Sequence, residues 1–148
     1  KAFEVIGSAK VSSSAHEAIQ FGFLKKTDGI TMNRNRLLYD AKVKALELIK
    51  DYKQPKKNNY NLPGITGFSA MKLYIDNLRS SGQISKHDQY VGETIAHVLS
   101  GGTTDINKQV DEEYISKLEK NAISKLFKKN LTIERIEHIL ETGKYLRN

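Results

Sequence analysis

The sequence predicts a mainly α-helical fold of five or six helices, and three observations carry that prediction. Apolar residues recur at helical spacing in successive segments, each preceded by a capping residue and closed by glycine. No segment shows the strict alternation of a half-buried strand, and no internal repeat is evident. At 148 residues the chain is long enough to bury a core.

The elements follow in order. Ser14-Ala-His-Glu17 is a capping-box pattern in which Ser14 can accept from the amide of residue 17 and Glu17 can reach back. The helix it starts is short, because Gly22 stops it. "FGFLKK" continues as an extended connection, and Asp28-Gly29 turns the chain. Asn33 caps the next helix, whose stripe of Leu37, Leu38, Ala41, Ala45, Leu48, Ile49 and Tyr52 predicts a buried face running to about Asp51. "KQPKKNNYNLPGITG" holds both prolines and no apolar period, which predicts a long loop near 53–66.

The second half reads as capped helices. Phe68, Met71, Leu73, Tyr74, Ile75 and Leu78 precede Gly82. Ser85-Lys-His-Asp88 is a second capping box, followed by Val91, Ile95, Val98 and Leu99 and closed by Gly101-Gly102. Asp111 caps a helix with Glu112 and Glu113 in its positive first turn and a stripe from Tyr114 through Ile115, Leu118, Ala122 and Leu126 to Phe127. Thr132 starts a short last helix carrying Ile133, Ile136, Ile139 and Leu140, stopped by Gly143.

Composition excludes some chemistry. There is no cysteine, hence no disulfide, thiol nucleophile or thiolate metal site, as expected of a cytoplasmic protein. No apolar run approaches the roughly 20 residues of a membrane-spanning helix. The chain opens at Lys1 in mid-pattern, with no cap before "KAFEVIGSAK", which predicts a piece of a longer polypeptide. The net charge of +7 is uneven: residues 1–66 carry 12 Lys/Arg against 6 Asp/Glu, and residues 67–148 carry 12 against 11. A basic first half suits solubility and can also attract nucleic acid, anionic lipid or a phosphorylated ligand.

Known catalytic patterns fail one by one. His16-Glu17 opens like HExxH, but Gln20 stands where the second imidazole must be. Glu93 with His97, and Glu134 with His138, sit one turn apart and read as ordinary helix-surface pairs. His87 falls within a capping box. Gly101-Gly102-Thr103-Thr104 follows a helix instead of preceding one, so it reads as a stop, not a phosphate cradle. These residues predict no catalytic group and no metal site. Lys25, Lys26, Arg34, Arg36, Lys56 and Lys57 supply much of the basic excess, and they leave open a basic helical module for nucleic acid or a protein partner.

Three phrases are more specific than any of these motifs: "AKVSSSAHEAIQFGFLKKTDGITMNRNRLLYDAKVKALEL", "AMKLYIDNLRSSGQISKHDQYVGETIAHVLSGG" and "ERIEHILETGKYLRN". They resemble the C-terminal region of bacterial fatty-acid β-oxidation polypeptides that join an NAD-dependent 3-hydroxyacyl-CoA dehydrogenase to a crotonase-like enoyl-CoA hydratase module. The resemblance runs over essentially the whole chain, with Tyr145 where such chains often have proline.

"SAHEAIQFGFL" is similar to the crotonase segment just after the catalytic core. The resemblance therefore implies a division into residues 1–32, the tail of a crotonase-like module, and residues 33–148, a helical C-terminal domain. It also implies that NAD and acyl-CoA belong to the parent enzyme and that its catalytic residues lie upstream. The fragment itself is then expected to be inactive and to need no cofactor. The upstream modules are the implied partners, homo-oligomerisation is a further expectation, and Arg34, Arg36, Lys56 and Lys57 are the candidates for meeting CoA phosphates.

Overall fold

A computed structural model describes residues 1–148 and places helix α1 at Ala2–Gly7, α2 at Ala15–Phe21, a 3-10 turn at Arg34–Arg36 and α3 at Leu37–Ile49. Strand β1 follows at Asn59–Asn61, then α4 at Gly64–Ser80, α5 at Lys86–Ser100, β2 at Gln109–Asp111, α6 at Glu112–Leu126 and α7 at Asn130–Thr142. The mainly helical expectation holds, with seven α-helices where five or six were expected. The extra helix is α1, which has no side-chain cap and so left no local signature.

The local punctuation lies where the residues put it. Ser14 caps α2, accepting from the Glu17 amide at 3.2 Å, while the Glu17 carboxylate accepts from the Ser13 amide and hydroxyl instead of from Ser14. Those two bonds hold the Glu17 carboxyl below its usual range. The turn after α2 spans Lys25–Asp28, closed by the Asp28 carboxylate on the Lys25 amide at 2.9 Å. Gly22, Gly101 and Gly143 stop their helices in the left-handed conformation. The Ser85–Asp88 box is complete in both directions, and Asp111 accepts from the Tyr114 amide at 2.8 Å. Helix α7 starts two residues before Thr132, whose hydroxyl pairs with His87.

The chain forms two compact units, Ala9–Lys56 as one and Lys1–Ser8 with Lys57–Asn148 as the other. In the larger unit α5 is central. Between Ile84 and Ser100 only Lys86 is exposed, as expected for a helix packed on several sides. Its main neighbour is α4, and the closest approach is at Gly92, where an added Cβ would lie 3.4 Å from Ile75 Cδ1. Ile75 is 2% exposed and Ala96 is fully buried. Helix α1 joins the same packing, with Val5 buried and Phe3 edge-on to Tyr74 at 6.3 Å.

Two predicted core positions on α4 differ from expectation. Leu73 and Tyr74 are exposed, because α5 covers only the face centred on Ile75. The predicted loop contains β1, which pairs antiparallel with β2 in the register Asn59↔Asp111, Tyr60↔Val110 and Asn61↔Gln109. Three-residue strands are too short to show alternation, and their partner lies far away in sequence. The α4 start is locked by Gly64, at φ +57°, where a Cβ would sit 2.6 Å from the Thr104 carbonyl oxygen.

Helix α7 is held largely by polar contacts. Ile133, Ile139 and Leu140 of its predicted stripe are exposed. Arg135 donates to Asp88 at 2.8 Å and to the Asn148 side chain at 2.7 Å. His87, 6% exposed, shares a 3.0 Å hydrogen bond between Nε2 and Thr132 Oγ1. Burial, and then the nearby Arg135 charge, hold His87 below the usual histidine range against the opposing pull of Asp88 and Glu134. Burial raises the Asp88 carboxyl, but the Ser85 amide and Arg135 outweigh it and hold the group below the usual aspartate range.

Two outcomes follow from this joint. Replacing Asp88 by Ala removes a cap and a half-buried ion pair together, and should lower stability by about 2 kcal/mol in denaturant titration. Arg135→Ala should add little on top of it, because the two residues share one network. The depressed His87 pKa makes its contribution complete above its unfolded value of about 6.5 and lost as pH falls through the folded value. The thermal midpoint should therefore fall on acidification below about pH 6.5, and His87→Gln should flatten that part of the profile.

Candidate functional site

In the smaller unit, α3 defines a surface. Asn33 caps the 3-10 turn that leads into it, accepting from the Asn35 amide at 3.0 Å. Leu37, Leu38, Ala41, Ala45, Leu48 and Ile49 then fall on one side of the helix, with Tyr52 continuing the stripe. The expectation that this face is buried fails. No residue of α3 is buried, Leu38 is 84% and Ile49 66% exposed, and Ala18 is the only buried residue of the unit. The pattern of a core is present without a second layer to cover it.

Among the basic candidates of the smaller unit, Arg36 is already paired. Arg36 donates to Asp40 at 3.3 Å and lies over the Tyr39 ring at 5.7 Å. That carboxylate offsets the unfavourable placement of a cation in the first turns of the helix. Arg34 is exposed, and Lys56 ends one compact unit where Lys57 begins the other. Within the smaller unit no ion pair or cavity groups Arg34 and Arg36 with Lys56.

A second feature lies within the larger unit. Helices α5 and α6 leave an open groove of about 350 Å³, with Phe68 of α4 at its margin. Tyr90, Glu93, Thr94 and His97 form one wall, and Leu118, Asn121, Ala122 and Lys125 form the other. Each wall is a row at i, i+3/4 and i+7, so the groove is roughly 10 Å long at 1.5 Å per residue. The helices run antiparallel: Gly102 lies against both His97 and Leu118 at one end, while Lys129 sits 5.0 Å above the Tyr90 ring at the other.

The walls explain the fate of the two carboxylate–histidine pairs. Glu93 accepts from Lys72 at 2.5 Å and from Gln89 at 3.4 Å, and the His97 ring stands edge-on to Phe68 instead. Hydrogen bonds to Glu93 and then Asp76 raise the Lys72 ammonium above its usual range. Glu134 accepts from Asn148 at 2.9 Å, not from His138. Neither pair is a proton-transfer dyad, and no group of three His, Asp or Glu residues could hold a metal ion. Sequence reasoning placed Phe68, Leu118 and Ala122 on apolar stripes but did not show that α5 and α6 stand apart beside them.

Among curated proteins the chain is similar to a probable 3-hydroxyacyl-CoA dehydrogenase of Bacillus subtilis (strain 168), with 40% identity over 149 aligned residues. The match takes in the whole of this chain but spans only 19% of the length of that protein. No family model matches the chain, and no solved structure matches it. The similarity covers both compact units, so the exposed α3 face and the α5–α6 groove both lie within the matched region. No helix is long and apolar enough to cross a membrane.

The exposed stripe predicts a contrast between helices. Leu38→Glu in the 148-residue chain should change unfolding free energy by less than about 0.5 kcal/mol, as for any solvated position. Ile75→Ala should cost about 2–5 kcal/mol through the cavity it leaves against α5. Equal losses in urea titration would show that α3 is already covered.

Proposed function

We propose that this chain is the C-terminal, non-catalytic part of a cytoplasmic, NAD-dependent 3-hydroxyacyl-CoA dehydrogenase polypeptide that also carries a crotonase-like hydratase module and acts in fatty-acid β-oxidation. The observation that carries the reading is the 40% identity along the entire chain to a probable dehydrogenase of which it spans 19%. The parent would oxidise 3-hydroxyacyl-CoA to 3-ketoacyl-CoA, with NAD taking the hydride, using residues upstream of Lys1.

The role of this chain is packing. The α3 stripe has the spacing and residue types of a core helix and lacks a covering layer. An apolar surface of this kind is more costly in water than against protein, at about 25 cal/mol per Å². In the parent polypeptide, residues 1–32 complete a crotonase-like module and α3 lies against the same body, beside or over the acyl-CoA site. Arg34, Arg36, Lys56 and Lys57 then approach the CoA phosphates.

Three measurements test this reading. The 148-residue chain should reduce no NAD in the presence of 3-hydroxyacyl-CoA, and measurable turnover would overturn the proposal. The pair Leu38→Glu and Ile49→Glu should leave the isolated chain folded but lower the yield or activity of the full polypeptide. Lys56→Glu with Lys57→Glu should raise KM for acyl-CoA several-fold at constant kcat, the pattern of lost uniform binding; an unchanged KM would remove the phosphate role.

A further inference from the structure

The groove between α5 and α6 holds an uncompensated charge of each sign. Asp76 of α4 and Glu93 of α5 share the single ammonium of Lys72, at 3.2 and 2.5 Å, so these three groups keep a net negative charge. Gln89 donates to the same two oxygens, Asp76 Oδ1 at 2.9 Å and Glu93 Oε1 at 3.4 Å. Every bond to Glu93 therefore falls on Oε1, and Oε2 accepts none. On the opposite wall Lys125 makes neither an ion pair nor a side-chain hydrogen bond. Glu93 and Lys125 thus line one groove without pairing with each other. Toward His97 the lining turns aromatic and apolar: Phe68 and His97 stand edge to face at 6.3 Å, with Leu118 opposite.

We propose that this groove binds the zwitterion of an aromatic amino acid, with its ammonium on Glu93 Oε2, its carboxylate on Lys125 and its ring against Phe68, His97 and Leu118. A ligand with only one of these charges would complement one wall and leave the other uncompensated, so a zwitterion fits better than an acid or an amine of the same shape. From Glu93 to His97 is about one helical turn, roughly 6 Å, which a benzyl group spans. The Phe68 and His97 rings can receive a third ring edge-on or offset, the arrangements that aromatic groups prefer. Ala122 is buried, and its small side chain leaves open the space that a larger one would fill. The volume of about 350 Å³ lies within the range of small-molecule sites. These features belong to the groove whatever reaction the parent polypeptide catalyses.

The test uses amide chemical shifts of the 148-residue chain at neutral pH, titrated separately with L-phenylalanine, 3-phenylpropionate, 2-phenylethylammonium and L-leucine. Phenylalanine should give saturable shifts at Thr94, His97, Leu118 and Ala122. Each singly charged analogue should bind about fivefold more weakly, the size of one exposed ion pair, and leucine should also bind more weakly. Lys125→Gln should hold phenylalanine no better than phenylethylammonium. Glu93→Gln, which keeps an oxygen for Lys72, should hold it no better than phenylpropionate. Both variants should keep the circular dichroism spectrum of the parent chain, and Lys125→Gln, at an exposed position, carries the test if Glu93→Gln does not fold. The proposal is overturned by unshifted groove amides, by shifts confined to the α3 stripe, by an analogue or leucine binding as tightly as phenylalanine, or by a folded variant that binds phenylalanine undiminished.

Discussion

The larger unit depends on the close approach of α5 to α4 at Gly92 and Ile75. Without a side chain at residue 92, Ile75 reaches the α5 backbone and leaves solvent almost completely. Once α5 is held there, its remaining faces become platforms. Helix α1 packs on one, α6 on another, and the His87–Asp88 edge receives α7. The Lys72 bridge to Glu93 and Asp76 ties α4 to α5 along the rim of the same interface. An added Cβ at residue 92 would lie 3.4 to 3.7 Å from the Ile75 side chain, an ordinary van der Waals contact.

Within that unit the strength of attachment falls away from the centre. Ile75 and Ala96 are buried by dispersion and the hydrophobic effect. Helix α6 contributes Ala122 and Leu118 but stands far enough from α5 to leave a groove. Helix α7 buries no residue fully and relies on Arg135, Thr132 and Asn148. Helix α7 follows directly on the groove wall formed by α6 and meets α5 through His87, whose pKa burial holds below the usual range. The smaller unit is a different case: its longest helix is well formed locally and has no buried residue at all.

That contrast separates what local chemistry specifies from what the fold must supply. The caps at Ser14, Ser85 and Asp111 and the stops at Gly22, Gly101 and Gly143 were legible because each interaction closes within about four residues. The apolar stripes were legible too, but a stripe reports only that a helix prefers a partner. Ile75 found one in α5, and Leu38 and Ile49 found none. Of the groove, Phe68, Leu118 and Ala122 carried a signal through their spacing, whereas the separation of α5 from α6 beside them carried none.

By itself the sequence determined a mainly helical chain, the positions of most helix ends, the absence of thiol chemistry and the absence of a recognisable catalytic motif. The tertiary structure decided that α1 joins the helices beyond residue 57, that β1 pairs with β2, and that Thr132 serves His87 instead of capping a helix. It also decided which apolar faces are covered. The physical reason is range: hydrogen bonds of caps and turns are satisfied between near neighbours in sequence. Burial is a property of two surfaces, and its second surface is written elsewhere in the chain or, for α3, is not supplied by these residues at all.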